Sequence, residues 1–525
     1  MDTKALRQKV LDLAIRGKLV PQDPNDEPAS VLLDRIRAEK QRLVKEGKLK
    51  AKDIKNDTII FVGDDNLHYE KFADGSVKCI EDEIPFELPE GWQWSRVASF
   101  ASIITDGEHK TPRRVEQFQG YYLLSARNIQ NGSISLNDVD YVDGEEYEII
   151  SKRCNPRKND VLISCSGSVG RVTVVCDDRH YVMVRSAAMI RPITISPYYL
   201  MYALQSGQLQ NQVQATSKQT AQANLFLGAI QTLLVPIPPI EEARRIVGLA
   251  TNAISITDNI EEQRVSVTQV IATTKAKILD LAIRGQLVPQ NPDDEPASIL
   301  LERIRAEKEE LVKQGKIKRD KKESIIFRGD DNSYYEKIGA NVVNIDDEIP
   351  FELPNNWAWC RGYSCFEGME STRPQGDYFD YIDIDAIDNQ LHKIKEVKHL
   401  LVSDAPSRAS RSVKDGSVLF SLVRPYLENI AMVDREHSHC IASTGFYVCN
   451  SNGALLPEFM FFMMISGYVV EGLNQYMKGD NSPSISKDNI EGWLYPVPPI
   501  REQMAICHKL HMMLTVIESI EKGLN

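Results

Sequence analysis

What the chain lacks narrows its reading first. Its nine cysteines, Cys79, Cys154, Cys165, Cys176, Cys360, Cys365, Cys440, Cys449 and Cys507, are odd in number and contain no CxxC pair. Such a set is not a disulfide framework and predicts reduced thiols in a cytoplasm. Long hydrophobic runs are missing too. The longest, residues 459–465, falls far short of the ~20 apolar residues a membrane span needs. The charged start from Met1 to Arg7 has no signal-peptide core behind it, so neither export nor membrane insertion is expected. Basic charge is in deficit: 62 Lys+Arg stand against 74 Asp+Glu, for a net charge of -12. This excludes a protein that holds nucleic acid by bulk electrostatics. Residues 95–240 are near charge balance and residues 360–500 are acidic. If DNA is the ligand, local loops must read it and a partner must supply much of the non-specific grip.

Catalytic signatures are equally scarce. The stretch 166–171, SGSVGR, lacks the Lys-Ser/Thr of a P-loop and the spacing of a dinucleotide fingerprint, and reads as a β-turn. No NPPY or DPPY is present to hold a flipped adenine, and no FxGxG strand to bind S-adenosylmethionine. Asp106 followed by Glu108-His109-Lys110 resembles half of a nuclease metal site. Metal-assisted hydrolysis needs a second carboxylate on a defined strand, so a base-reading loop is preferred. His437-Ser438-His439-Cys440 could ligate zinc, but a structural site needs four ligands and no companion pair is visible, which leaves a surface turn. No catalytic residue and no metal site are expected.

What is there is a duplication. At 525 residues, with 42% hydrophobic and 26% charged composition, the chain is long enough for three or four folded domains. Residues 11–50, opening LDLAIRGKLVPQ, align without gaps on residues 279–318, opening LDLAIRGQLVPQ, with 31 of 40 positions identical. The match continues through IIFVGDDNLHYEK at 59–71 against IIFRGDDNSYYEK at 325–337, and EIPFELPEGWQW at 83–94 against EIPFELPNNWAW at 348–359. A fourth pair, LLVPIPPIEEARRI at 233–246 and WLYPVPPIREQMAI at 493–506, closes each half. The stretches between share no such identity, so one frame carries two different inserts.

The frame reads as helix. From Ile246 the series Leu249, Ala253, Ile256, Ile260, Gln263, Val267, Val270, Thr274, Lys277, Leu281 steps by three and four, a heptad seam with polar interruptions. Forty-four residues from Glu241 to Arg284 would span about 66 Å at the rise of an α-helix. Ile506, Met513, Val516 and Ile520 repeat the beginning of that seam, and Leu6, Val10 and Leu13 repeat its end, so the chain reads as circularly organised. Gly17 and Gly285 stop helices, and Pro28 and Pro296 open the AEK-rich helices that follow, expected to be exposed on most sides. The inserts show short alternating runs such as 161–164, 171–175 and 418–420 between Gly, Asn and Asp turns, which predicts mixed globules. The fold class expected is therefore α+β: two globular mixed α/β domains joined by long antiparallel coiled-coil-like helices, pseudo-two-fold. The segments are 1–94, frame; 95–240, first recognition domain; 241–359, central spacer helix with the second frame copy; 360–500, second recognition domain; and 501–525, terminal spacer helix.

Candidate ligand-reading residues lie in polar loops of the inserts, where Arg, Lys and Asn offer the donors that read base edges. In the first insert they are Thr105, Gly107, His109, Lys110, Thr111, Arg113 and Arg114, then Ser125, Arg127 and Asn128, then Lys218 and Gln219. In the second they are Ser371, Thr372 and Arg373, then Arg424 and Tyr426, Ser443 and Thr444, and Lys478, Asn481 and Ser482.

Taken together, these segments resemble the specificity subunit of type I restriction-modification systems along essentially the whole chain. The PIPPIEEARRI and PVPPIREQMAI junctions, the LDLAIRGKLVPQDPNDEPASVLLDRIRAEK opening, and the strand segments NDVLISCSGSVGR and DGSVLFSLVRPYL carry the resemblance. Asn159 departs from it, standing where Gly usually precedes Asp-Val-Leu, and so does Glu242-Ala243 where Glu-Gln is usual. The resemblance implies a non-catalytic DNA-reading chain, each recognition domain reading half of a split site on double-stranded DNA and the helices fixing the gap. It also implies two methylation subunits and two restriction subunits as partners. S-adenosylmethionine, ATP and Mg would sit on those partners, with no cofactor on this chain. A stand-alone metal-dependent nuclease built on the Glu108 region, or a scaffold whose inserts bind something other than DNA, are the alternatives.

Overall fold

The computed structural model describes residues 2–217, 223–316 and 322–524. Its frame forms twice because the same local instructions occur twice. Helix α1 (Thr3–Ile15) begins where the Asp2 carboxylate accepts from the Ala5 N–H. It ends at Gly17, whose φ of +63° and whose position, with an ideal Cβ only 2.5 Å from Pro89 Cγ, admit no larger residue. Helix α2 (Ala29–Lys45) follows Pro28, and its first N–H is taken by the Gly91 carbonyl at 2.7 Å. The long helix α3 (Ile240–Ile283) stops at Gly285 as α1 stops at Gly17, with φ +67° and Pro354 Cγ at the same 2.5 Å. Helix α4 (Ala297–Lys313) then repeats α2, its first N–H bonded to the Asn356 carbonyl at 2.9 Å. The chain closes with helix α5 (Ile500–Leu524). No helix among the described residues is long and apolar enough to cross a membrane.

The chain forms two compact units, Met1–Gln263 and Arg264–Asn525, so the boundary falls inside α3. In the first unit α1 runs antiparallel to α3, with Thr3 Oγ1 donating to Glu261 at 2.9 Å and Arg7 Nη1 to Asp258 at 2.9 Å. In the second unit α5 runs antiparallel to the rest of α3, with Lys275 Nζ 2.7 Å from Glu521 and Gln290 Nε2 donating to Glu502 at 2.6 Å. The N-terminal helix thus does in one unit what the second half of α3 does in the other. This is the circular arrangement expected from the sequence.

The face used for packing differs from the expected seam. Ile246, Ala250, Ile254 and Thr257 are buried in the first unit, and Ile271, Ile278 and Ala282 in the second, whereas Leu249, Ile256, Val267 and Val270 are exposed. On α5, Ile506, Leu510 and Ile517 are buried while Val516 and Ile520 face out; on α1, Leu11, Ala14 and Ile15 are buried while Leu6 is exposed. Small residues decide between the two apolar stripes: Ala243 and Ala250 let the first insert pack closely against α3. The α2 helix also departs from expectation. It buries Leu32, Leu33, Ile36 and the Lys40 ammonium, which donates to Asp57 and to the Ala98 carbonyl at 2.7 Å each.

Each insert leaves and rejoins its frame through a two-stranded antiparallel ladder, Gln93–Arg96 with Leu234–Ile237 and Ala358–Arg361 with Leu494–Val497. The preceding tryptophans bind the helices: Trp92 Nε1 donates to Glu242 and Trp357 Nε1 to Glu502, both at 3.0 Å. Beside each ladder stands the repeated hairpin sheet, Ile59–Val62, His68–Lys71 and Val77–Cys79 in one unit, and Ile325–Arg328, Tyr334–Ile338 and Asn341–Asn344 in the other.

Despite unrelated sequences, the two inserts share a topology. In the first, Val161–Ser164 lies between Val172–Val174 and Ala187–Pro192, while Tyr121–Leu124 pairs in parallel with His180–Met183 and antiparallel with Asp140–Val142. In the second, Val418–Ser421 lies between Ile430–Met432 and Phe446–Cys449, while Tyr378–Ile382 pairs in parallel with Ile441–Ser443 and antiparallel with Lys398–Leu401. The registers Ser164↔Ala187 and Ser421↔Phe446 set these shared strands in correspondence, while the outermost strand differs: Ala101–Asp106 pairs with Ala187–Pro192 in the first insert and Ala409–Ser412 with Ile441–Ser443 in the second.

Candidate nucleic-acid interface

The second insert gathers most of its expected ligand-reading loops on one face, and the backbone does the gathering. Thr372 N–H donates to the Ser410 carbonyl at 3.0 Å and Thr444 N–H to the Arg408 carbonyl at 2.8 Å. Leu422 N–H then reaches the Gly445 carbonyl at 2.8 Å, and Arg424 N–H the Pro483 carbonyl at 2.7 Å. The Arg424 guanidinium also donates to the Asn481 carbonyl at 3.0 Å. Ser371–Arg373, Thr444, Arg424–Tyr426 and the loop carrying Lys478, Asn481 and Ser482 are therefore neighbours. Arg424 sits at φ +49° and Glu428 at +54°, so this turn is held in a conformation non-glycine residues seldom adopt. Arg373 and Lys478 are exposed and form no ion pair with a described residue.

Two arginines belong on this face that sequence reasoning passed over. Arg408 is exposed beside Thr444, and Arg411 bridges to Ser371 with its Nε buried and without a hydrogen-bond partner. The signal was present in the alternating basic run 407–414, SRASRSVK. Ser443, by contrast, is fully buried with its Oγ accepting from Gly445 N–H at 3.2 Å, and so offers nothing to a ligand. That is a correction to the expected set.

In the first insert the loop after Asp106 is fixed by a close crossing of backbones. An ideal Cβ on Gly107 would stand 2.2 Å from the Met183 carbonyl oxygen, so Gly107 is a buried packing position and not a ligand contact. Glu108 N–H donates to that same carbonyl at 2.7 Å, and Arg185 N–H to the Glu108 carbonyl at 3.0 Å. Thr105 is half-buried, with its hydroxyl directed at the Asp106 carbonyl 3.3 Å away. His109, Lys110 and Thr111 are exposed, and Arg185 joins them as an exposed cation that the sequence reading missed. His109 Nε2 lies 2.7 Å from the Asp106 carboxylate, which Arg153 also holds. A guanidinium therefore occupies the place where a nuclease metal would need to sit, and it opposes cation binding there.

Arg113, Arg114 and Arg127 line an acidic row. Arg113 pairs with Asp143 at 2.8 Å and Glu145 at 3.0 Å, while Arg114 and Arg127 take opposite oxygens of Asp140, each at 2.9 Å. The pairing orders the guanidiniums while leaving donors over, since each carries five N–H groups. Asn128 is 1% exposed and its side chain is spent on the turn, accepting from Ser125 N–H and donating to the Ser135 carbonyl. It is therefore structural, the third correction, and Ser125 caps the same turn at its half-buried start. Lys218 and Gln219 lie outside the described residues.

The same scaffold of hydrogen bonds underlies both faces. Cys165 N–H donates to Ser186 and Leu225 N–H to Cys165 in the first insert, as Leu422 N–H donates to Gly445 and Ile485 N–H to Leu422 in the second. The bridges Ser166↔Asn224 and Val423↔Ser484 correspond as well. One loop scaffold thus carries two unlike sets of side chains.

Residues 89–268 match the family model described as the type I restriction modification DNA specificity domain. The EcoAI and EcoEI type I restriction enzyme specificity subunits of Escherichia coli are each 26% identical to this chain, across 99% of it and 90% of their own length. The chain is therefore similar to type I restriction enzyme specificity subunits over nearly its whole length. A chain solved in work on complex assembly and conformational transition of the type I R-M system shares its fold, with a TM-score of 0.50 at 16% identity over 84% of this chain and 94% of that one. The loop faces of its two inserts are the candidate ligand-reading surfaces.

Proposed function

We propose that this chain is the specificity subunit of a type I restriction-modification system, that it reads a bipartite site on double-stranded DNA, one half per insert, and that it serves as the non-catalytic dock for two methylation and two restriction subunits. The observation that carries the reading is the shared backbone scaffold presenting different side chains: Lys110, Arg113, Arg114, Arg127 and Arg185 in the first insert, and Arg373, Arg408, Arg424, Tyr426 and Lys478 in the second. A shared support with different donors is what two independent base readers require, since arginine and asparagine discriminate base edges by bidentate hydrogen bonds. The acidic total fits a division of labour in which loops read bases and partner subunits hold phosphates. S-adenosylmethionine, ATP and Mg belong to those partners in this reading, and the complex acts in the cytoplasm.

The apolar stripe that the units leave uncovered supports the docking role. Ile256 and Val516 occupy equivalent places on α3 and α5, and each is 59% exposed. Equal apolar positions in both units fit a partner present in two copies. Co-expression with the subunits encoded beside it, followed by mapping of methylated adenines, tests the proposal. A split motif with an unread gap is expected; a continuous motif, or metal-dependent cleavage by the chain alone, would overturn it.

A further inference from the structure

The second insert holds a cluster of donors that the DNA-reading face does not use. Asp380, on Tyr378–Ile382, stands directly opposite His399 on Lys398–Leu401, and the parallel pairing Tyr381↔Ile441 brings His439 and Cys440 alongside from the other neighbour. One oxygen of the Asp380 carboxylate is 2.8 Å from His399 Nδ1 and the other 2.8 Å from His439 Nε2. The donor atoms of Asp380, His439 and Cys440 all lie within 4.8 Å of one another. The cluster sits at the start of Ile441–Ser443, whereas Thr444 and the reading loops lie beyond its end. From sequence alone His437-Ser438-His439-Cys440 lacked companion ligands; the sheet supplies Asp380 and His399.

The first insert shows what this location demands. Strand registers align Asp380 with Tyr122, His399 with Tyr141 and Cys440 with Tyr181. There the sheet end is closed by rings: Tyr122 lies 5.9 Å from Tyr141 and 5.7 Å from Tyr181, and Phe118 packs 4.6 Å from Tyr122. A carboxylate, imidazoles and a thiol cannot close a sheet by apolar contact. They are, however, the oxygen, nitrogen and sulfur donors that a borderline-soft divalent ion takes in tetrahedral geometry.

We propose that Asp380, His439 and Cys440 bind one divalent cation of the zinc class that ties neighbouring strands of the second insert together, the fourth position being left to water or to His399 once its ring turns. Tetrahedral bonds of about 2.0–2.3 Å place donor atoms roughly 3.3–3.8 Å apart. The two 2.8 Å contacts must therefore open slightly: the His439 ring, 63% exposed, has room to turn, while the His399 ring would have to leave its stack on Tyr378, 5.0 Å away. Cys440 is buried and fixed, and provides the anchor.

Cobalt(II) titration of the full-length chain, reduced and stripped by chelator, reads the site directly. The expected result is a thiolate-to-cobalt charge-transfer absorption saturating at one equivalent and displaced by zinc. It is lost in Cys440→Ser and the affinity falls by at least about tenfold in His439→Ala and Asp380→Asn. It is unchanged in the double variant Cys79→Ser/Cys176→Ser, which removes the exposed thiols. Absence of the band, its persistence in Cys440→Ser, or its loss with the exposed thiols would overturn the assignment. Should Cys440→Ser fail to fold, unchanged cobalt affinity in Asp380→Asn and His439→Ala would do so equally.

Discussion

Arg96 grips Glu70 with two nitrogens, its Nε and Nη2 donating to the two carboxylate oxygens at 3.1 and 2.8 Å, and the same guanidinium reaches the Thr232 carbonyl at 2.9 Å. Arg361 repeats the pattern with Glu336 and the Gly492 carbonyl. The glutamate is the central residue of the recurring Tyr-Glu-Lys, so the repeated hairpin has a physical role: it delivers a carboxylate that clamps both strands through which the insert leaves and returns. With side-chain exposures of 11% and 6%, the Arg96–Glu70 pair is buried enough that removing one partner strands a charge. Arg96→Ala is expected to destabilise the first unit by about 3–5 kcal/mol, and Arg361→Ala to do the same in the second. Urea denaturation checks this, and a loss under about 1 kcal/mol would deny the clamp.

Asn159 accounts for a departure from the usual family wording. It adopts φ +76°, and its structural counterpart Gly416 adopts +81°. Each donates its N–H across the same turn, Asn159 to Val175 and Gly416 to Val433, both at 2.8 Å. The position requires left-handed backbone, which glycine meets without strain and asparagine nearly so. Asn159→Gly should therefore leave recognition intact and raise stability by up to about 1 kcal/mol; thermal melts decide, and a clear loss would contradict the argument.

Burial lifts the carboxyls of Glu242 and Glu502 above their ordinary value of 4.5, against the opposing hydrogen bonds from Trp92 and Trp357. A raised folded value means the folded state holds its proton longer than the unfolded chain. The stability so gained is complete below about 4.5 and is lost as pH rises through the folded value. Glu242→Gln and Glu502→Gln keep an acceptor for the indole N–H and lose the titration. The wild type should therefore lose stability relative to these variants as pH climbs from 4.5; parallel pH profiles would refute the shift.

The exposed stripe on the helices predicts a separation of assembly from folding. Ile256→Asp and Val516→Asp change residues that their own units leave uncovered, so stability should stay within about 0.5 kcal/mol. Binding of the partner subunits should weaken by tenfold or more in the double variant, on the order of 1.4 kcal/mol. Co-purification and titration calorimetry measure this, and undiminished assembly would place the docking surface elsewhere.

The duplication made the frame legible, because identical segments 268 positions apart, such as those starting at Leu11 and Leu279, fix the two-unit organisation without any structure. The packing face was not legible. Two apolar stripes run along α3, and only the tertiary fit of Ala243 and Ala250 selects the one through Ile246 and Ile254. Site residues were legible as loops and not as side chains. Arg424 and the loop containing Asn481 could be named as polar loop positions, but a sequence does not show that they meet, nor that Gly107, Asn128 and Ser443 are consumed by backbone crossings and turn bonds. Of the Asp380 cluster only His439-Cys440 was legible, because Asp380 and His399 lie far from that pair in the chain and approach it only through strand pairing.

Everything functional rests on the two inserts reading DNA independently. Exchanging residues 95–240 for the equivalent insert of another specificity subunit, then mapping methylated adenines in cells that carry the partner subunits, tests this most directly. The account predicts that one half of the methylated motif changes while the other half and the gap persist. A motif that changes in both halves, or in neither, would contradict it.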